Sequence, residues 1–365
     1  MKIAILSMQR INNMGSLLQA YALKRTIEGF GHEVEFIDIR KNEDDNSLLE
    51  GFKLDYKQEE EKASRIRKYF QHPIKRFQIK KKLPLQNALF DSFRRDKLEI
   101  DKKSESYDIC VIGSDEVFNC LNAGWWGFTS QLFGNVVEAK RVITYAASCG
   151  ATSFRMLPTG VKDRIKSSFK TVSGFSVRDR NTYEFCKAFG VENVSINLDP
   201  VLIYNFDNEI ESIGLKKDYS HCCIVYSYKN RINDPGDIKT ILEFCKRNKL
   251  TPVAVGAPQF WCKDYVVCSP LECLKVFQTA KFIITDTFHG TIFAVKYAPN
   301  FAVITRESNA NKLNDLVSRL EVREHLIEDF SALDSVYAKQ ISKDTTEDII
   351  KTETENAKSF LLRYL

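Results

Sequence analysis

The 365-residue sequence is short of the features that mark specialised chains. With only 9 Pro and 16 Gly it is neither collagen-like nor a low-complexity linker. No apolar stretch approaches the roughly 20 residues needed to span a bilayer. The apolar run behind Met1 is too short for a signal-peptide core, so a cytoplasmic chain is expected. No Cys-x-x-Cys pair occurs, and no His stands at zinc-ligand spacing from a Cys pair, so no metal site is expected. A Gly-x-Gly-x-x-Gly fingerprint and a P-loop are both missing. Charge of one sign is scarce too: 53 Lys and Arg against 48 Asp and Glu leave +5, which gives no reason to expect nucleic acid as a partner.

What is present is the composition of a folded enzyme, 44% hydrophobic and 28% charged, with 25 Phe and 14 Tyr to fill its cores. The length allows two to three domains. Ten scattered cysteines, several inside apolar runs such as Ile109-Cys110-Val111-Ile112, predict reduced thiols packed as small hydrophobes.

Short apolar runs alternate with amphipathic stretches, the pattern of βα units on a mostly parallel sheet. Strands are expected at 2–7, 34–39, 107–112, 141–147, 173–177 and 194–198, and again at 222–228, 251–255, 282–285 and 301–305. A charged insertion over about 41–105 interrupts the first series. The polar stretch 205–220 separates an N-terminal domain, 1–205, from a C-terminal domain, 216–340, with a final helix at 345–365 expected to pack back on the first domain. Two open α/β domains in tandem place a ligand cleft between the carboxyl ends of their sheets.

Thr285-Asp286-Thr287-Phe288-His289-Gly290-Thr291 follows a buried strand and opens a helix, a position suited to anions. His289 is suited to proton transfer there, although a capping or core histidine fits the same position. Ser176-Val177-Arg178-Asp179 also ends a strand; Asp179 reads as an N-cap, and Arg178 as a carboxylate or phosphate ligand or a surface ion pair. Gly113-Ser114-Asp115, with Asn119 beyond it, and Asn12, Asn13, Gly15 and Ser16 follow strands and suit a sugar hydroxyl or a phosphate. The run 62–82 is rich in Lys and Arg and free of acids, with Tyr69, Phe70 and Phe77 interleaved. It reads as a solvated helical insertion or as a patch for an anionic membrane surface.

In their order and spacing these segments resemble the polysaccharide pyruvyl transferase family. The resembling pieces run from Asn12-Asn13-Met14-Gly15-Ser16-Leu17-Leu18 through Phe90-Asp91-Ser92-Phe93-Arg94, Gly113-Ser114-Asp115-Glu116, Tyr145-Ala146-Ala147-Ser148, Ser176-Val177-Arg178-Asp179 and Leu198-Asp199-Pro200 to the His289 segment. The resemblance implies a GT-B-like fold of two facing Rossmann-like domains. It also implies transfer of a pyruvyl group from phosphoenolpyruvate to a sugar of a surface-polysaccharide precursor, forming a cyclic ketal and releasing phosphate. No cofactor is implied, and the acceptor would be a lipid-linked oligosaccharide. On this reading His289 is the general acid, Asp115 the base, Asp286 the group orienting His289, and Arg178 a donor-binding cation. Thr287, Gly290 and Thr291 line the donor site. One branch of the family has Arg-Leu before the His where Thr287-Phe288 stands here, so Arg306 is the expected replacement cation.

Two other readings remain at this point. A nucleotide-sugar glycosyltransferase of the same fold requires a carboxylate for the donor ribose, and a non-enzymatic carbohydrate- or lipid-binding scaffold would use the basic run.

Overall fold

A computed structural model describes residues 1–52, 73–121, 124–229, 231–306, 310–339 and 343–365. The apolar runs of the first half form β1 (Lys2–Leu6), β2 (Glu33–Ile37), β3 (Tyr107–Ile112), β4 (Ala139–Thr144), β5 (Val172–Val177) and β6 (Val194–Ile196). Those of the second half form β7 (Cys222–Ser227), β8 (Thr251–Gly256), β9 (Asp264–Tyr265), β10 (Phe282–Thr285), β11 (Phe301–Ile304) and β12 (Leu326–Ile327). Each set makes one parallel sheet, ordered β2-β1-β3-β4-β5-β6 and β12-β11-β10-β7-β8-β9. Two such Rossmann-like units facing one another make the GT-B-like, α/β architecture.

Strand alternation explains the core. In β1, Ile3 and Ile5 join one apolar layer while Ala4 and Leu6 join another; in β7, Cys222, Ile224 and Tyr226 oppose Cys223 and Val225. Both faces of each central strand are covered, so the strands read as unbroken apolar runs. The layer holding Ile3 and Ile5 also holds Ile224 and Ile283, so one continuous core spans both halves of the chain. All ten cysteines are buried.

Helices carry the chain between strands. α1 (Met14–Glu28) follows β1, and its N-cap Asn13 accepts from the amides of Gly15 and Ser16, a cap worth about 1 kcal/mol. The expected insertion is more than a surface excursion. Its helix α2 (Pro73–Phe93) places Ile79 in the C-terminal core and Phe90 and Phe93 in the shared core. Gln86 makes paired hydrogen bonds with the backbone of Cys268, and Lys82 pairs with Asp264 at 2.6 Å. α2 therefore straps the two halves together, and Lys82 is spent on that strap. Of the basic run 62–82, residues 62–72 lie outside the described residues.

α3 (Arg180–Ala188) is capped by Asp179, whose carboxylate accepts from the Thr182 amide at 2.9 Å. The chain crosses between halves after the short helix Pro200–Ile203, which Asp199 caps through the Val201 amide. In the second half, α4 (Pro270–Thr279), α5 (Phe288–Tyr297) and α6 (Ala310–Arg319) follow. Lys296 of α5 donates to the carbonyls of Val201, Leu202 and Tyr204, clamping that crossing. The final helix α7 (Lys343–Tyr364) returns to the first sheet: Phe360 meets Tyr145, and Arg141 donates to the Tyr364 carbonyl. No helix among the described residues is long and apolar enough to cross a membrane.

Because Phe360 closes the shared core, Phe360→Ala should cost about 3–5 kcal/mol. Urea unfolding followed by tryptophan fluorescence measures this, and a change within error of zero would mean that α7 packs loosely.

Candidate active site

In a parallel sheet a crevice opens where successive connections leave in opposite directions, at the carboxyl ends of the two strands concerned. In the first sheet that point lies between β1 and β3, where Asn13, Gly15, Ser16, Ser114 and Asp115 stand. In the second it lies between β7 and β10, where Tyr228, Asp286, Thr287 and His289 stand. The two switch points meet. A Cβ built on Gly15 would sit 2.3 Å from Cγ and Nδ1 of His289, so only glycine lets the α1 N-terminus approach the imidazole. A cavity of about 100 Å³ opens beside it, lined by Asn12, Asn13, Phe90, Tyr228, Thr287 and His289.

His289 sits in the first turn of α5, which Thr287 caps by accepting from the Gly290 amide at 3.0 Å. Its Nε2 lies 3.4 Å from Oδ2 of Asp199, a fully buried carboxylate on the N-terminal half. The same oxygen accepts from Arg178 at 3.0 Å, and Ser114 Oγ lies 3.2 Å away. Burial by itself would push the Asp199 carboxyl up. The charge of His289 and its hydrogen bond, followed by Arg178, outweigh that and hold it at about 2. Asp199 is thus ionised at neutral pH, and its carboxylate faces the imidazole.

Asp115 carries a left-handed φ of 77°, a strained setting that clusters at functional sites. One of its oxygens accepts from Ser16 at 2.7 Å and the other lies 3.8 Å from Arg178. Glu116 beside it pairs at 2.7 Å with Lys312 of α6, a second tie across the cleft. Burial opposes ionisation of Glu116, but Lys312 and Asn119 hold it at about 2.

Several expectations need correction. Asp286 does not orient His289; its Oδ2 lies 3.1 Å from Arg306 and 3.8 Å from Arg231, and Asp199 stands beside the histidine instead. Arg178 is not a cation open to the cleft. It is buried, bonded to Asp199, and covered by the Phe288 ring at 4.0 Å. Ser114 is fully buried on Asp199 and Ala146, while Asn119 is tied to Glu116 and Thr152. Asn13 is a helix cap, and Thr291 is buried on the Thr287 carbonyl. Gly290 is needed for packing, since a Cβ there would meet Thr285 Oγ1 at 2.1 Å. Asn12 receives a hydrogen bond from the buried Arg94, which also holds the carbonyls of Gln9 and Arg10 and so fixes the β1–α1 loop.

Asp199 and Arg231 escaped the sequence reading. Leu198-Asp199-Pro200 carried a usable signal, a carboxylate between a strand and a proline. Arg231 stands in a polar loop with no motif around it.

The profile of the polysaccharide pyruvyl transferase family matches residues 13–308, most of the chain and all of the residues named at the cleft except Asn12 and Lys312. The chain belongs to this family. It is therefore an enzyme of the kind that transfers pyruvyl groups. No curated protein matches it. Among solved structures, the enzyme is similar to UDP-GlcNAc 2-epimerase from Methanocaldococcus jannaschii, at 12% identity over 97% of this chain and 100% of that one, with a TM-score of 0.47. The corresponding epimerase from Neisseria meningitidis gives 10% identity over the whole of both chains and a TM-score of 0.47. A Streptomyces glycosyltransferase complexed with thymidine diphosphate gives 11% identity over 99% of each chain and a TM-score of 0.45.

Two variants test this geometry. Gly15→Ala should displace the imidazole at a cost of about 1–3 kcal/mol, removing activity from an enzyme that still unfolds cooperatively. Asp199→Asn leaves Arg178 buried without its nearest carboxylate, with Asp115 3.8 Å away, and should cost about 3–5 kcal/mol near neutral pH. A carboxyl held low in the folded state gives stability that is present above its unfolded value of about 3.9 and is lost as pH falls toward about 2. The wild type should therefore lose more stability across that interval than Asp199→Asn, as read by denaturant midpoints at each pH.

Proposed function

We propose that the enzyme moves the pyruvyl group of phosphoenolpyruvate onto two hydroxyls of a sugar in a surface-polysaccharide precursor, forming a cyclic ketal and releasing phosphate. The observation that carries this reading is His289 set between the Asp199 carboxylate and the N-terminus of α1, at the meeting of the two switch points.

The enol phosphate of the donor is not electrophilic at its central carbon until the methylene accepts a proton. A histidine set against an ionised carboxylate is placed to deliver it, a step worth about 10²–10⁴ in rate. Protonation turns the methylene into a methyl group and leaves an oxocarbenium carbon that a first sugar hydroxyl attacks. The second hydroxyl then displaces phosphate. Each attacking hydroxyl must lose its proton, and Asp115 faces the cleft from the opposite wall with Ser16 holding one oxygen. One hydroxyl proton restores His289 through this carboxylate, and the other leaves with phosphate.

The test is acceptor-dependent phosphate release from phosphoenolpyruvate with a panel of galactosyl and mannosyl acceptors. His289→Gln should lower release by about 10²–10⁴-fold in an enzyme that still unfolds cooperatively, at a somewhat lower urea midpoint because Asp199 loses its partner across the cleft. Undiminished release in that variant would remove His289 from the chemistry. Thermal stabilisation by a nucleoside diphosphate, with none by phosphoenolpyruvate, would replace this reading with glycosyl transfer.

A further inference from the structure

Arg178 cannot serve as the open cation of a donor site, because Asp199 and Asp115 surround it and the Phe288 ring covers it. The donor nevertheless brings a phosphate of about −1.5 to −2 charge as well as a carboxylate. The N-terminal wall of the cleft is acidic, with Asp115 and Glu116 at its surface and Asp199 behind them. An anion settling there would meet repulsion.

The opposite wall differs. Arg231 follows β7 and Arg306 follows β11, the two strands that flank β10. Asp286, at the carboxyl end of β10, lies between them: its Oδ2 is 3.1 Å from Arg306 Nε and 3.8 Å from Arg231 Nε, and its carbonyl accepts from Arg231 at 3.5 Å. Two guanidinium groups thus converge on one carboxylate, and both side chains remain about a quarter exposed, at 25% and 28%. The ring of Tyr228, which also lines the cavity beside His289, lies 5.0 Å from the Arg231 guanidinium and fixes its plane. Thr287 continues the chain from Asp286 into the cap of α5, so the carboxylate that both guanidinium groups approach precedes His289 by three residues.

We propose that Arg231 and Arg306, on either side of Asp286, form the oxyanion subsite that receives the phosphate of the donor. This rests on the proposed reaction. It divides the cleft by charge: the leaving phosphate on the basic C-terminal wall, the sugar hydroxyls on the acidic N-terminal wall, and His289 at the seam. Planar guanidinium forks match phosphate oxygens in pairs, which a lysine at either place would not reproduce. Asp286 holds both forks in position before the donor arrives.

The experiment is isothermal titration of the full chain with inorganic phosphate and, separately, with phosphoenolpyruvate, alongside steady-state phosphate release. The wild type should bind both ligands in competition. Arg231→Met and Arg306→Met should each weaken both by about tenfold or more, raising the KM for phosphoenolpyruvate while the KM for acceptor holds. Arg231→Lys, which keeps the charge and loses the fork, should fall between. Lys281→Met, which removes an exposed cation at the amino end of β10, away from the carboxyl ends that form the cleft, should stay within about twofold of the wild type; an equal loss there would reduce the effect to general electrostatics and overturn the subsite. Unchanged phosphate affinity in Arg231→Met, or no binding of phosphate by the wild type, would also overturn it. Competitive binding that depends on Arg231, in an enzyme that turns over no acceptor, would keep the subsite and reject the reaction.

Discussion

The carboxylate of Asp199 is the interaction on which the site depends. Taking an ion out of water costs several kcal/mol unless partners surround it, and Asp199 has none of its exposure left. Its partners come from three places: Arg178 at the end of β5, Ser114 after β3, and His289 across the domain boundary. The first two belong to the N-terminal half and are set by the sheet. The third is supplied only when the C-terminal half is docked. The carboxylate that faces the histidine is therefore also a reason for the two halves to stay in register.

That dependence explains the accumulation of ties around the boundary. The α2 strap, the Lys296 clamp on the chain crossing, the Glu116–Lys312 pair and the return of α7 all join elements far apart in sequence. Lys296 and His289 lie on the same helix, α5, so the clamp at its far end and the chemistry at its near end share one rigid body. A shift of α5 by an ångström would change the distance between His289 and Asp199. The shared apolar layer resists such a shift, because packed interiors deform little.

The fold was legible because parallel strands buried on both faces have to be apolar throughout, and runs such as 107–112 and 282–285 can be nothing else in a chain of this composition. The location of the cleft was legible for a related reason, since polar residues directly after such runs stand at carboxyl ends. The division of labour within the cleft was not. Asp286 precedes His289 by three residues and was taken as its partner, while Asp199, ninety residues earlier, holds that place. Sequence proximity says little about which of two carboxylates a folded chain brings to a ring. Arg178 shows the same limit: its position after β5 was evident, yet whether it meets a ligand or a buried acid depends on Asp199 and Phe288, which are distant in the chain. The strap role of α2 is hidden because its charged surface matches that of any solvated helix, while Ile79, Lys82 and Gln86 reach the other half.

The two walls of the cleft carry opposite charge for a reason that follows from the chemistry of the residues. A general acid has to start protonated and a general base ionised, so the two need different surroundings. His289 stands on the C-terminal half and Asp115 on the N-terminal half; docking of the halves brings His289 against Asp199, while Arg178 lies between the Asp199 and Asp115 carboxylates as their shared counter-charge.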